Sequence, residues 1–212
     1  MQNGGKFMLL EFRTSNYKSF KEELIFSLIP APKQKGLDYS VLKQDIDKKS
    51  YKGLCSAVIY GSNASGKTNI IGAMDTFKSI VLRGNIRNDD DKNDPNTAAC
   101  ELELIPNNLS ENREPVSFFI KFITDNYLIE YSFSADLGKF LEVDYSRKII
   151  SEQLKVNDRL IFKRNGELKF DSLDTISTLL VNAFEQNAES AIALAQGNLN
   201  DEELFLMNGF KN

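Results

Sequence analysis

The apolar positions of the first sixty residues predict strands. Residues 7–13 and 24–29 are short apolar runs with strand character, and Pro30 ends the second because proline cannot donate to a strand ladder. Residues 33–53 are rich in lysine and aspartate, which predicts a surface connection. Residues 54–60 are nearly all apolar, a pattern typical of a central strand that is covered on both faces.

Beyond residue 60 the pattern changes three times. An apolar stripe at helical spacing predicts a helix over residues 68–82, and an Arg-Gly pair ends it. Residues 85–99 are acidic, have little to bury and predict a flexible loop. Short alternating runs split by turn residues predict an antiparallel β-subdomain over 100–170, including a strand at 140–145.

The C-terminal segment, residues 171–212, predicts helices. The clearest amphipathic stripe consists of Leu173, Ile176, Leu179, Leu180, Ala183 and Phe184. Weaker helical patterns follow at 188–196 and from about Asp201. Together with a core lobe at 1–84, these segments predict one α/β domain with a mixed sheet.

Composition excludes several kinds of chemistry. The 212 residues include no histidine, which rules out Ser-His and Cys-His nucleophiles and histidine-ligated metals within this chain. Two cysteines, Cys55 and Cys100, cannot form a structural zinc site alone, and they predict reduced, buried thiols in a cytoplasmic protein. No apolar run is long enough to span a bilayer, so we expect no membrane partner. The net charge of -4 argues against a globally basic nucleic-acid binder, although a local basic strip stays open.

A phosphate-binding motif begins at Gly61, where eight residues match G-x-x-x-x-G-K-[ST] between the predicted strand and helix. Gly61 and Gly66 let the backbone curl so that its N–H groups form a nest for phosphate oxygens. Lys67 would place a cation on the β- and γ-phosphates, the Thr68 hydroxyl would take one position on Mg²⁺, and Asn63 could donate to phosphate. The predicted cofactor-binding residues are Gly61, Ser62, Asn63, Ala64, Ser65, Gly66, Lys67, Thr68 and Asn69, and Thr68 is also the predicted metal ligand.

The alternatives to an ATP site are a chance match on a Gly-rich turn and a degenerate loop, and the flanking elements and the intact Lys67-Thr68 pair count against both. A guanine-reading N-K-x-D motif is missing, which disfavours a Ras-like GTPase. A small-molecule kinase is disfavoured because about 60 residues precede the loop and the later arginines are scattered. The expected cofactors are therefore ATP and Mg²⁺.

The order of these motifs resembles a known family. The segment at 10–20, which contains N-Y-K-S-F, and the loop at 61–69 resemble the first strand and phosphate loop of SMC/RecF-like ATPases, a branch of the ABC-type ATPases. The strands at 118–133 and 150–166 are similar to AAA-labelled, ABC-like ATPases of abortive-infection and anti-phage operons. The resemblance implies a P-loop ATPase with an ABC-like N-terminal lobe, in phage defence or DNA maintenance.

The resemblance also implies parts that this sequence does not show. No signature helix and no Walker B strand is found, so turnover by this chain alone is doubtful and no catalytic residue is assigned. The implied partners are a second copy or a complementing C-terminal half, and a nuclease or toxin, while DNA contact stays open. The alternative is a non-hydrolytic nucleotide-sensing module that regulates a partner protein.

Several further residues have a plain interpretation beside a functional one. By the same resemblance Lys18 could reach the nucleotide, yet a solvated lysine explains it equally well. Gln153 could be a γ-phosphate-sensing glutamine, although its strand setting favours an ordinary exposed residue, and Glu130 is expected to pair across strands. Glu202-Glu203 predicts a helix N-terminus. The basic residues at 147–148, 155, 159, 163 and 164 could line a DNA-facing edge, and a solvated hairpin surface is favoured.

Overall fold

The computed structural model of the protein describes residues 7–32, 36, 38–63, 65–87, 104–109, 114–139, 145–171 and 196–209. Its elements in chain order are β1 (Met8–Ser15), β2 (Leu24–Ser27), a 3₁₀ turn (Asp38–Ser40), β3 (Val41–Ile46), β4 (Lys49–Leu54), α1 (Lys67–Arg83), β5 (Val116–Thr124), β6 (Tyr127–Asp136), β7 (Lys148–Val156), β8 (Arg159–Asn165), β9 (Glu167–Phe170) and α2 (Phe205–Gly209). The predicted helix at 173–184 lies outside the described residues, as do most of the predicted loop at 85–99 and of the strand at 140–145.

Seven strands form one sheet in the order β2-β1-β5-β6-β7-β8-β9. Every ladder between described strands is antiparallel, so the parallel pairs of the predicted mixed sheet are not found in this part of the chain. Tight turns at Asp125-Asn126 and Asn157-Asp158 have positive φ at both residues, which suits the twist of a two-residue hairpin. The predicted antiparallel strands that fall within the described residues are present as β5 to β8, and they continue the sheet that β1 and β2 begin.

Helix α1 packs on one face of this sheet. Its predicted extent is confirmed to within a residue at each end, and Gly84 ends it in the left-handed conformation. The Phe77 ring stacks on Phe133 with centroids 5.8 Å apart, and Phe118 lies 5.3 Å from Phe133. Phe118, Tyr131 and Phe133, on this face of β5 and β6, are therefore part of the core.

The opposite face of the sheet is covered in part by the β3–β4 hairpin. Ile46 packs with Met8, Leu10, Ile123 and Leu128 in a second, smaller core. The prediction of a surface connection is therefore wrong for residues 41–53. The side chains of this stretch are mostly polar, but Val41–Ile46 pairs with Lys49–Leu54 over six residues. The backbone hydrogen bonds of this pairing form a strand ladder that side-chain polarity does not reveal.

The predicted central strand at 54–60 does not form. Strand β4 ends at Leu54, and the residues that follow are irregular, with Val58 71% and Tyr60 87% exposed. An apolar run becomes a buried strand only where neighbours pair with its edges and cover its faces, and the described residues supply neither. For the same reason Cys55 is exposed, so the prediction of a buried thiol is wrong there.

The C-terminal segment is tied to both α1 and the sheet. The Leu204 N–H donates to the Gly84 carbonyl at 2.8 Å, and the Ile149 N–H donates to the Asp201 carbonyl at 2.7 Å. The Arg87 guanidinium donates to the carboxylates of Glu202 and Glu203. The two glutamates precede a helix, as predicted, and their side chains form ion pairs with Arg87.

A buried carboxylate completes this attachment. Glu152 of β7 is 1% exposed and accepts hydrogen bonds from the Tyr131 hydroxyl and from the backbone N–H groups of Phe205 and Leu206. Burial raises the pKa of the Glu152 carboxyl above its ordinary value of 4.5, and burial also raises the pKa of the Tyr131 hydroxyl. The carboxylate therefore holds α2 against the sheet at a desolvation cost.

Within the described part of the chain, no helix combines the length and the apolar character that crossing a membrane requires.

Candidate functional site

The N-terminus of α1 is built on a glycine that cannot be replaced without strain. Gly66 is the N-cap residue and has φ 84° and ψ 9°, in the left-handed region. A Cβ added at Gly66 would lie 2.7 Å from the Ser19 Oγ and 3.3 Å from the Phe20 ring. The helix therefore begins where the backbone turns sharply and where a second element approaches closely.

The loop before α1 curls back on itself. A Cβ added at Gly61 would lie 2.6 Å from the Ser65 Oγ, and the Ser65 N–H donates to the Ser62 carbonyl at 3.3 Å. The structure describes all of the predicted loop residues except Ala64, and Asn63 and Thr68 are exposed. A curled loop with exposed polar groups at a helix N-terminus is an arrangement that can hold an anion.

The Lys67 ammonium lies over this loop. Its Nζ donates to the Gly61 carbonyl at 2.9 Å and to the Ser62 carbonyl at 2.5 Å. No acidic residue lies in the first turn of α1, so the positive end of the helix and the lysine create a field of one sign. This field favours a polyanion at the loop.

A turn after β1, residues 16–20, packs beside the loop. The Tyr17 hydroxyl hydrogen-bonds the Thr76 hydroxyl of α1 at 3.1 Å in a buried contact. The Lys18 Nζ lies 5.6 Å from the Tyr17 ring centroid and 3.8 Å from the position of a Cβ at Gly72. A second cation thus lies along the first half of α1.

The predicted site residue Asn69 has a partner of its own. Its side-chain amide donates to the Ser19 Oγ at 2.8 Å, and its backbone N–H donates to the Gly66 carbonyl at 2.9 Å. Sequence reasoning missed Tyr17, Ser19 and Thr76. The signal that could have found the first two is the N-Y-K-S-F segment directly after β1.

The residues near the loop fit a magnesium ion only through Thr68. The Thr68 hydroxyl is one hard oxygen ligand, and Mg²⁺ bound to nucleotide takes most of its other ligands from phosphate and water. Among the described residues no three carboxylates or cysteines are grouped so that they could hold a metal. A metal at this site would therefore depend on the nucleotide that carries it.

The other sequence candidates lie elsewhere. Gln153 is aligned with Ser132 and Lys163 on the sheet face opposite α1, since its neighbour Glu152 faces the helix side. Glu130 pairs with Lys121 across strands at 2.6 Å, which confirms the plain interpretation. Of the basic residues, Arg164 is buried and donates to the Glu203 carbonyl.

Arg147 likewise donates to the Ile86 carbonyl, and Lys148 pairs with Asp201 at 3.6 Å. Lys148 thus contacts the C-terminal segment, and Arg147 contacts the residues that follow α1. The DNA-facing edge, which the sequence left open as the less favoured alternative, is therefore reduced to the residues at 155, 159 and 163.

The curled loop, the glycine N-cap and the lysine define a P-loop domain of α/β class. A protein-family model described as AAA domain, putative AbiEii toxin, Type IV TA system matches residues 56–193, which is more than half of the chain. The chain therefore belongs to this family of AAA domains, which supports its assignment as an AAA-family ATPase. No curated protein and no solved structure matches the chain.

Proposed function

We propose that the protein binds Mg-ATP through residues 61–69 and acts as the ATP-binding half of an ABC/SMC-like ATPase. The observation that carries the proposal is the Lys67 ammonium, held over a curled loop at the positive end of α1. When a polyphosphate binds, its oxygens would replace the Gly61 and Ser62 carbonyls as acceptors of the ammonium hydrogen bonds. Backbone N–H groups of the loop and the first turn would bind the same phosphates.

Individual residues then have separate tasks. Gly61 and Gly66 keep the loop curled, because a side chain at either position would collide with a neighbour. The Thr68 hydroxyl would hold the magnesium ion, which neutralises phosphate charge when bound. Lys18 would add a second cation beside the helix, at a position that the resemblance to SMC/RecF-like ATPases also marks.

We further propose that hydrolysis is completed by a complementing polypeptide, either a C-terminal half or a second copy. The exposed segment 55–60, with Val58 and Tyr60 open to solvent, supports this proposal. Large apolar side chains next to a binding loop are typical of a surface that another chain covers. ATP would then join two lobes, and its hydrolysis would release them.

The biological setting that we propose is phage defence or DNA maintenance, beside a nuclease or toxin partner. The family description refers to a putative toxin of a type IV toxin–antitoxin system, and this supports a role beside a partner protein in such a pair. The step from the site to that role is an analogy at the level of the family.

The second candidate is a sensor that binds ATP without hydrolysing it. Among the described residues, no carboxylate forms a hydrogen bond or an ion pair with the loop residues 61–69, and this observation favours the sensor. A carboxylate is one of the side chains that can position the attacking nucleophile in phosphoryl transfer.

The test is to measure ATP binding by calorimetry and ATP turnover by phosphate release on the same sample. We expect binding that needs Mg²⁺ for full affinity, and turnover only when a complementing chain is added. Binding without turnover in the presence of that chain would favour the sensor. Absence of ATP binding would refute both candidates.

Replacement of Thr68 by alanine should weaken ATP binding in Mg²⁺ by roughly ten-fold, because one charge-assisted metal contact of about 1.5 kcal/mol is lost. The same substitution should change binding in EDTA by less than about two-fold. Isothermal titrations with and without EDTA make the comparison, and Thr124→Ala on β5 is the control. Equal losses in both buffers would show that Thr68 does not hold the metal.

A further inference from the structure

The turn at 16–20 is held so tightly that it can serve as a fixed support. Asn16 and Lys18 have positive φ, 51° and 46°, in a region that residues with side chains rarely adopt. The Lys18 N–H donates to the Ile105 carbonyl at 3.0 Å, and the Asn107 side chain donates to the Lys18 carbonyl at 2.6 Å. With the buried Tyr17–Thr76 bond, these contacts fix the turn between α1 and residues 104–109.

Ser19, at the tip of this turn, contacts the start of α1. Its Oγ occupies the space that a Cβ at Gly66 would fill, and it accepts the Asn69 amide at 2.8 Å. Gly66 has no side chain with which to cap the helix, and Asn69 is the third residue of the first turn. The Ser19–Asn69 bond therefore ties the first helical turn to a neighbouring element in place of an ordinary cap.

We propose that Ser19 is a positioning residue of the phosphate-binding loop and that Asn69 serves as its partner. The proposal rests on the proposed function, because it concerns the same ATP site. Lys67 and Thr68 lie between Gly66 and Asn69, so a bond that fixes Asn69 also fixes the cation and the metal ligand. A site that is ordered before its ligand arrives does not spend binding energy on ordering.

The test is a double-mutant cycle on ATP affinity with Ser19→Ala, Asn69→Ala and the double variant. Each single variant should weaken ATP binding by roughly three- to ten-fold, the effect of one hydrogen bond, and the double variant should lose no more than either single variant. Inorganic triphosphate should show the same loss as ATP, because the effect acts through the loop. Ser132→Ala, on the opposite face of the sheet, should bind as the unaltered protein does.

Three outcomes overturn the proposal. Unchanged ATP affinity in Ser19→Ala would show that the bond does not support the loop. Losses that add in the double variant would show that Ser19 and Asn69 act independently and not through their mutual hydrogen bond. A loss for ATP but not for triphosphate would show that Ser19 contacts the nucleoside. Failure of the proposed function is distinct from these, since the unaltered protein would then bind neither ligand.

Discussion

Replacing Lys67 by alanine should weaken ATP binding by at least roughly 100-fold, or about 3 kcal/mol, because the substitution removes the cation from the phosphate site. The fold should persist, since among the described residues the ammonium hydrogen-bonds two carbonyls of its own loop, those of Gly61 and Ser62. Titration calorimetry gives the affinity, and circular dichroism with thermal melting checks the fold.

The matched control for this substitution is Lys78→Ala, an exposed lysine on the same helix. It removes the same charge from α1 and should change ATP affinity by less than about three-fold, because exposed charges at a distance are screened. If Lys67→Ala binds ATP as well as Lys78→Ala does, the loop is not the phosphate site.

Replacing Glu152 by alanine should lower the free energy of unfolding by about 3–4 kcal/mol. The substitution leaves the Tyr131 hydroxyl and the N–H groups of Phe205 and Leu206 buried without their acceptor. Urea unfolding measures the loss. Glu167→Ala, at an 84% exposed side chain paired with Lys169, should cost less than about 0.5 kcal/mol. Equal losses in the two variants would contradict the structural role of Glu152.

The same carboxyl makes stability depend on pH in a defined direction. The pKa of Glu152 is raised in the fold, so the folded protein binds this proton more tightly than the unfolded chain. Its stabilising contribution is complete below pH 4.5 and is lost as pH rises through the folded pKa. The free energy of unfolding of the unaltered protein minus that of Glu152→Gln should therefore become more positive as pH falls from 7 toward 5. If this signed difference became more negative on acidification, the raised pKa would be contradicted.

The sequence was informative where local pattern decides structure. Alternation and turn residues predicted β5, β6 and β8, and helical spacing predicted α1 with its end at Gly84. The G-x-x-x-x-G-K-[ST] spacing likewise placed Gly66 at the helix start, where a positive φ requires glycine. Whether these residues bind nucleotide remains a prediction.

Pattern failed where structure depends on distant partners. Residues 54–60 read as a buried strand, but hydropathy cannot show whether neighbouring strands are present to pair with them. Conversely, residues 41–54 are polar enough to resemble a connection, yet Ile46 and Tyr51 pack their hairpin against the second core. The contacts of Tyr17 and Ser19 with α1 join residues about fifty to sixty positions apart, which no local window contains.

The contact of Lys67 with its own loop has a consequence for the ligand-free protein. Because the Gly61 and Ser62 carbonyls accept hydrogen bonds from the Lys67 ammonium, this charge has polar partners within the loop. A triphosphate that replaces these carbonyls as the acceptor gains only the difference in free energy between its own contacts with the ammonium and those of the carbonyls. The affinity for a triphosphate should consequently reflect this difference and not the full strength of the phosphate contacts.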